Sequence, residues 1–437
     1  MPLRFEVAKS RSQTITMQEL FAKVSKSQLS ESSVGFQNFW SNAGQMAAIG
    51  MMASMPISRA VFNVCALIMI TSWVLAGRYR SLNEDLFKQP ALLMCVAFFL
   101  AVLVSVSYSI APTADRWAQV STYSKLLYIP VMVGLLRDEQ WIRRGWVAIT
   151  SGLFLLLALF IADFWIEIPG SHSARDGNVG VFNNTIVQGL QFAVLSVLGI
   201  YFWSESPNKN SLRAWIFIAL AFSAAIATIN FNPGRGAQLA LLGGVMSFSF
   251  LSAPRQIRWI ATATLILIFA AMALSSNNFT SRFETAVSDI KIASTEKNTS
   301  VGLRLHAWKT GISIWSESPF LGKGAGAYRH LMHTQYAKDI GGCPSATCDQ
   351  PHNQYVLTLV EQGTFGLLIL AALLAMSAFA PAKKEKFLRA FSVAFITLFT
   401  IHSNFDSGLQ MNDQVFVFIA VAGLIIATAN SRLNSSG

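Results

Sequence analysis

The chain has 437 residues, of which 53% are hydrophobic and only 13% charged, with a mean hydropathy of +0.46. Soluble domains carry about 25% charged residues, so this composition excludes an ordinary soluble globular protein. The net charge of +11 calls for no nucleic-acid partner, because the basic residues are scattered among polar connections rather than gathered in one patch.

Residues 1–35 are polar, mixed in charge and free of a cleavable signal, and are read as a cytoplasmic N-terminal segment. Spans of about 20 apolar residues follow near 36–57, 60–77, 90–110, 118–136, 145–165, 182–203, 213–231, 236–253 and 258–275, giving transmembrane helices 1–9 within 36–275. Residues 276–351 form one large periplasmic loop. Helices 10–12 occupy 352–430, near 353–381, 388–403 and 414–430, and 431–437 is a cytoplasmic tail. The expectation is an all-α polytopic membrane protein of about twelve spans, its long loop carrying short amphipathic helices.

Lysine and arginine placement orients this layout. With the N-terminus inside, the inner segments collect Arg4, Lys9, Arg78, Arg80, Arg137, Arg143, Arg144, Lys383, Lys384, Lys386 and others. The short outer loops hold only Arg59, Arg116, Arg175 and Arg235, as the positive-inside rule requires. Cys65 and Cys95 fall inside spans. Cys343 and Cys348 face the oxidising side, where disulfides persist, and five residues apart they are expected to close a tight loop as a disulfide, two free thiols being the alternative.

Transporters place several charges at mid-membrane, yet here the spans hold little beyond Lys125 and Glu361. Polar residues gather instead at outer helix ends: Arg235, His352, and the run from His402 to Asp413. Arg235 lies in Asn232-Pro233-Gly234-Arg235-Gly236-Ala237-Gln238-Leu239, which suits a turn feeding a helix N-terminus. Unpaired amides there favour an anion, and a guanidinium offers a two-pronged match to phosphate. A snorkelling interfacial arginine is the plainer reading.

His352 follows Pro351, with Asp349 or Gln350 expected as the N-cap and the histidine in the first helical turn. The helix dipole there disfavours imidazolium, so the ring can accept a proton near neutral pH; a capping or surface histidine is the alternative. At 100° per residue, Gly363 falls about 20° and Gly366 about 40° from the histidine's direction. That stripe predicts close helix packing below it. Glu361 points the other way, as a buried structural partner.

Within the long loop, Leu305, Trp308, Ile312 and Trp315 recur at helical spacing, an amphipathic helix with Arg304 near its start. Arg304 could reach a headgroup-level phosphate or be an ordinary solvated arginine. Pro319-Phe320-Leu321-Gly322-Lys323-Gly324-Ala325-Gly326 lacks Walker spacing and is read as a turn-rich connection. No Asp-x-Asp pair and no His/Cys cluster with metal spacing occurs, so arginines would have to neutralise any diphosphate leaving group.

Together these residues resemble the bacterial O-antigen ligase family. Arg235 to Leu239 fits its Arg-x3-Leu motif. His352-Asn353, nine residues, then Gly363-Thr364-Phe365-Gly366 fits its His-Asn-x9-Gly-x-x-Gly. The stretch from Arg304 through Trp308 to Gly324 looks like the family's segment before that histidine. The resemblance implies a GT-C-like, metal-independent, inverting glycosyltransferase of the inner membrane that needs no cofactor. It would move polysaccharide from undecaprenyl diphosphate to lipid A–core at the periplasmic face. It implies His352 as general base, Arg235, Arg304 and Arg175 as diphosphate contacts, and Asn353 and Asp406 in support. An O-antigen or capsule polymerase and a protein O-oligosaccharyltransferase share that donor chemistry and differ in acceptor. A glycan-lipid flippase would bind the same lipid without making a bond.

Overall fold

The computed structural model describes residues 17–166, 168, 180–182, 184–232, 234–275, 280–281, 284–285, 288, 299–336 and 346–435. Every regular element among them is helical. In chain order these are α1 (Met17–Ser54), α2 (Arg59–Leu75), α3 (Leu82–Lys88), α4 (Pro90–Ser105), α5 (Thr113–Ser124), α6 (Tyr128–Leu135), α7 (Glu139–Ala162) and α8 (Thr185–Glu205). Then follow α9 (Leu212–Ile226), α10 (Arg235–Ser252), α11 (Arg258–Ser275), α12 (Ser300–Glu317), α13 (Ala327–Leu331), α14 (Gln354–Ala378), α15 (Lys386–His402) and α16 (Asn412–Ser435).

Each expected span coincides with helix, but fewer are long and apolar enough to cross a bilayer by themselves. Among the described residues six qualify: α7, α8, α9 with its closing π-turn, α11, α14 and α16. A seventh arises if the pair Arg59–Leu75 and Arg78–Lys88, bent by 79°, is one broken span, and α4 is a shorter apolar helix. The expected single span at 118–136 is in three pieces: α5, a 3-10 turn at Lys125–Leu127, and α6. Pro130 has no N–H to donate to Leu126, so the i−4 ladder is interrupted just where the chain tightens.

The core is built from helices that are apolar on most faces. In α16, Val415 to Ala422 are all buried, and Phe416 and Phe418 meet Phe62 and the α15 rings Phe395 and Phe399. α10 packs along α15, α8 along α9, and α1 along α2. This rigid centre carries two connections at one end of the bundle: residues 403–411, and the turn that opens α14.

α14 itself is broken. Gly363 sits at φ 66°, ψ −166°, which stops the helical ladder within an otherwise continuous apolar run. Only glycine tolerates this without strain, and a Cβ there would stand 2.3 Å from the Phe320 carbonyl oxygen. The break therefore ends the expected stripe running from His352 through Gly363 to Gly366. It also frees backbone groups that must be paired when buried. The Pro319–Gly326 loop pairs them. Lys323 N donates to Val360 O (2.7 Å) and Gly324 N to Glu361 O (2.9 Å). Thr364 N donates to Pro319 O (2.8 Å) and Phe365 N to Phe320 O (3.1 Å). The glycine-rich loop is a splint for the broken helix. Fully buried Glu361 joins it by accepting from Gly326 N at 3.0 Å, so its structural role is as expected.

α12 lies against α14, but on a different face from the expected one. Ala307, Thr310, Gly311 and Ile314 are buried, whereas Ile312 is exposed and Leu305, Trp308 and Trp315 are half-buried. A Cβ at Gly311 would come within 2.4 Å of a Val356 methyl, so the small residues set the contact face. Large aromatic side chains are left to its margins.

Candidate functional site

The turn opening α14 is fixed from three sides. Trp308 of α12 donates from Nε1 to the Pro351 carbonyl at 2.9 Å. Gln354 N donates to Ser403 O at 2.9 Å, and the Gln354 side chain accepts from Leu409 N and donates to the Tyr123 hydroxyl, both at 2.9 Å. The N-cap is Asn353, whose Oδ1 accepts from Tyr355 N (3.0 Å) and Val356 N (3.1 Å). Neither Asp349 nor Gln350 caps the helix, and His352 lies just outside it.

That shift gives His352 an unusual backbone, φ 49°. A non-glycine residue in the left-handed region costs about 1–2 kcal/mol, which the surrounding bonds sustain. The strained turn directs the imidazole onto residues 403–408. Nδ1 lies 3.1 Å from Asp406 Oδ1, and the ring is only 14% exposed. With the carboxylate ionised, Nδ1 carries the proton it donates, and Nε2 is the lone-pair nitrogen. Nε2 has no hydrogen-bond partner among the described residues.

Asp406 is held as an anion. It is 1% exposed, accepts from Ser407 N at 2.9 Å, and receives the Gln414 amide on its other oxygen. Burial is the largest single influence and would raise its pKa. The hydrogen bond and charge of His352, the nearby His402 and the Gln414 bond together outweigh it and hold the carboxyl below its ordinary range.

Arg304, near the start of α12, is half-buried within the electrostatic reach of Asp406. Burial lowers its pKa and the Asp406 carboxylate opposes that; arginine stays charged regardless. His352 and Asp406 thus meet from two separate elements, and Arg304 of a third feels the Asp406 charge. Among the described residues no group of three or more His, Cys, Asp and Glu is placed to hold a metal ion.

Residues 220–371 match the O-antigen ligase family. The match lies within one segment of the chain. It covers Arg235, Arg304, His352 and the Gly363 break, while Asp406 lies beyond it. An uncharacterized protein of Haemophilus influenzae is 24% identical over 286 residues, covering 62% of this chain and 68% of that relative.

Of the residues singled out on O-antigen ligase resemblance, Arg235 is the first residue of α10, after Gly234 as N-cap. Asn232 shapes the turn, accepting from Gly234 N at 2.7 Å. Gly236 brings this helix start against the loop bearing Asp406, since a Cβ there would stand 2.8 Å from Phe405 Cβ. Asn353 serves as the cap. Arg175 and Cys343 lie outside the described residues. Cys348 is disulfide-bonded, whereas Cys65 and Cys95 are free. Gln414, Trp308, Gln354 and Tyr123 were not singled out for the site. The polar run from His402 to Asp413 marked the region but ended one residue short of Gln414.

Proposed function

We propose that this protein is a periplasm-facing glycosyltransferase of the inner membrane. In this reading it joins a glycan carried on undecaprenyl diphosphate to lipid A–core. The observation that carries it is the His352–Asp406 pair with Arg304 in electrostatic reach of Asp406, His352 and Arg304 both lying in a segment similar to O-antigen ligases. Asp406 accepts the Nδ1 proton and fixes the tautomer, so Nε2 takes the proton of the acceptor hydroxyl. The hydroxyl oxygen attacks the anomeric carbon from the face opposite the diphosphate, which inverts that centre. The bond from carbon to phosphate oxygen breaks, and its electron pair leaves on polyprenyl diphosphate. Arg304 offsets that growing charge. Arg235, at a helix N-terminus turned toward the same loop, is the second diphosphate contact, and Arg175 a third.

The test is reconstitution with a defined undecaprenyl-diphosphate glycan and rival acceptors, with EDTA present. The reading predicts glycosylated lipid A–core and one released polyprenyl diphosphate per glycan transferred. Transfer only to a second donor glycan would make the protein a polymerase, and movement of the lipid without product would make it a flippase.

A further inference from the structure

A cavity of about 830 Å³ opens between α7, α8, α9 and the end of α16. α16 links it to the site: Gln414 at its start holds Asp406, and Arg432 near its close lines the cavity. The helical rise between these residues is about 27 Å, close to the roughly 30 Å hydrocarbon thickness of a bilayer. The cavity therefore lies at headgroup depth in the leaflet opposite His352.

Its charged lining is Arg137, Asp138, Glu139, Arg143, Arg213 and Arg432. Two of these are already matched: Arg137 by Asp85 at 2.6 Å and Arg432 by Glu385 at 2.8 Å. Arg143 and Arg213 have no carboxylate partner among the described residues, and Arg213 instead lies over the Phe217 ring at 5.6 Å. Asp138 and Glu139, at the start of α7, likewise have no cationic partner among them. Trp146, Phe202 and Val147 supply an apolar wall, and Val147, 60% exposed, carries it to the lateral surface of the bundle.

We propose that this cavity binds the headgroup of a phospholipid bearing both a phosphate and a primary ammonium, of the phosphatidylethanolamine type. Two unmatched guanidiniums offer forked donors to the phosphate. Two unmatched carboxylates beside them accept from the ammonium N–H groups. Basic pockets between membrane helices at this depth take lipid headgroups, but the equal number of unmatched acids here disfavours a purely anionic one. A quaternary ammonium has no N–H to give Asp138 or Glu139. The apolar wall opening sideways provides for acyl chains, which selects a lipid over a soluble phosphate.

Native mass spectrometry of the purified full-length protein tests this with phosphatidylethanolamine, phosphatidylglycerol and phosphatidylcholine of identical chains. The wild type should retain phosphatidylethanolamine roughly fivefold better than either rival, the size that exposed charge contacts support. Arg143→Ala with Arg213→Ala should abolish the preference. Asp138→Asn with Glu139→Gln should shift it toward phosphatidylglycerol, with folding checked by thermal unfolding. Soluble phosphoethanolamine should leave the lipid bound. Equal retention of the three lipids, an unchanged preference in both variants, or displacement by phosphoethanolamine would overturn the proposal. None of these results depends on glycan transfer, so the proposal and the assignment of function stand or fall separately.

Discussion

Asp406 shows how one buried carboxylate organises the site. It faces the imidazole Nδ1 of His352, opposes the burial of Arg304 and accepts from Gln414. Asp406→Asn keeps the shape but offers an amide in place of an anion, so His352 can settle in the wrong tautomer. Transfer should fall by at least about 10², at the low end of what general-base assistance contributes. A pH dependence follows from the same group. Its folded pKa is depressed, so its stabilisation is complete above the unfolded carboxylate value of about 3.9. That stabilisation is lost as pH falls through the lower folded value. Thermal unfolding in detergent should show the wild type exceeding Asp406→Asn at pH 6, with the gap shrinking below about pH 4. A gap independent of pH would mean the carboxylate charge is not what stabilises the loop. Arg304→Lys keeps the charge and loses the fork, so donor turnover should drop while folding is kept; wild-type turnover would make Arg304 a surface contact.

At the scale of elements, the decisive features are breaks in helices rather than helices. The sequence pattern made the apolar runs, the Arg235 helix start and the His352 region legible, because hydropathy and turn residues act locally. It did not make the Gly363 break legible, since glycines occur in continuous membrane helices too. The break becomes evident only when the Pro319–Gly326 loop supplies its four missing hydrogen bonds from about forty residues earlier. The α12 face was misread for a related reason: Gly311 and Ala307 are buried because small residues permit a close approach to α14, a contact invisible in one helix alone. The sequence places His352 in the first turn of its helix, whereas it precedes the cap, because Asn353 is itself a strong cap. Gly363→Ala should destabilise the protein by at least about 1–2 kcal/mol from its left-handed φ alone, with the clash against Phe320 added. Thermal unfolding equal to that of the wild type would deny the splint.

Over the whole molecule, membrane character and helical class were legible from composition, whereas the helices bear out the expected count of about twelve spans only in part. Among the described residues six helices are long and apolar enough by themselves, and the other helices pack with them around a core centred on α15 and α16. α16 separates two unlike ends, one with His352 and one with the arginine-lined cavity. Orientation can be tested directly by cysteine labelling in intact cells. Asn412→Cys, exposed at the His352 end, should react with an impermeant maleimide, and Arg144→Cys at the other end should react only after permeabilisation. The reverse pattern would turn the site to the cytoplasm and remove the proposed acceptor from reach.

In the proposed mechanism, proton transfer from the incoming hydroxyl goes to the Nε2 nitrogen of His352. It is tested most directly by single-turnover transfer from a bound polyprenyl-diphosphate glycan, comparing wild type with His352→Ala at saturating donor. Donor binding should be unchanged and the rate lower by about 10² to 10⁴. Wild-type rates in the alanine variant would contradict it.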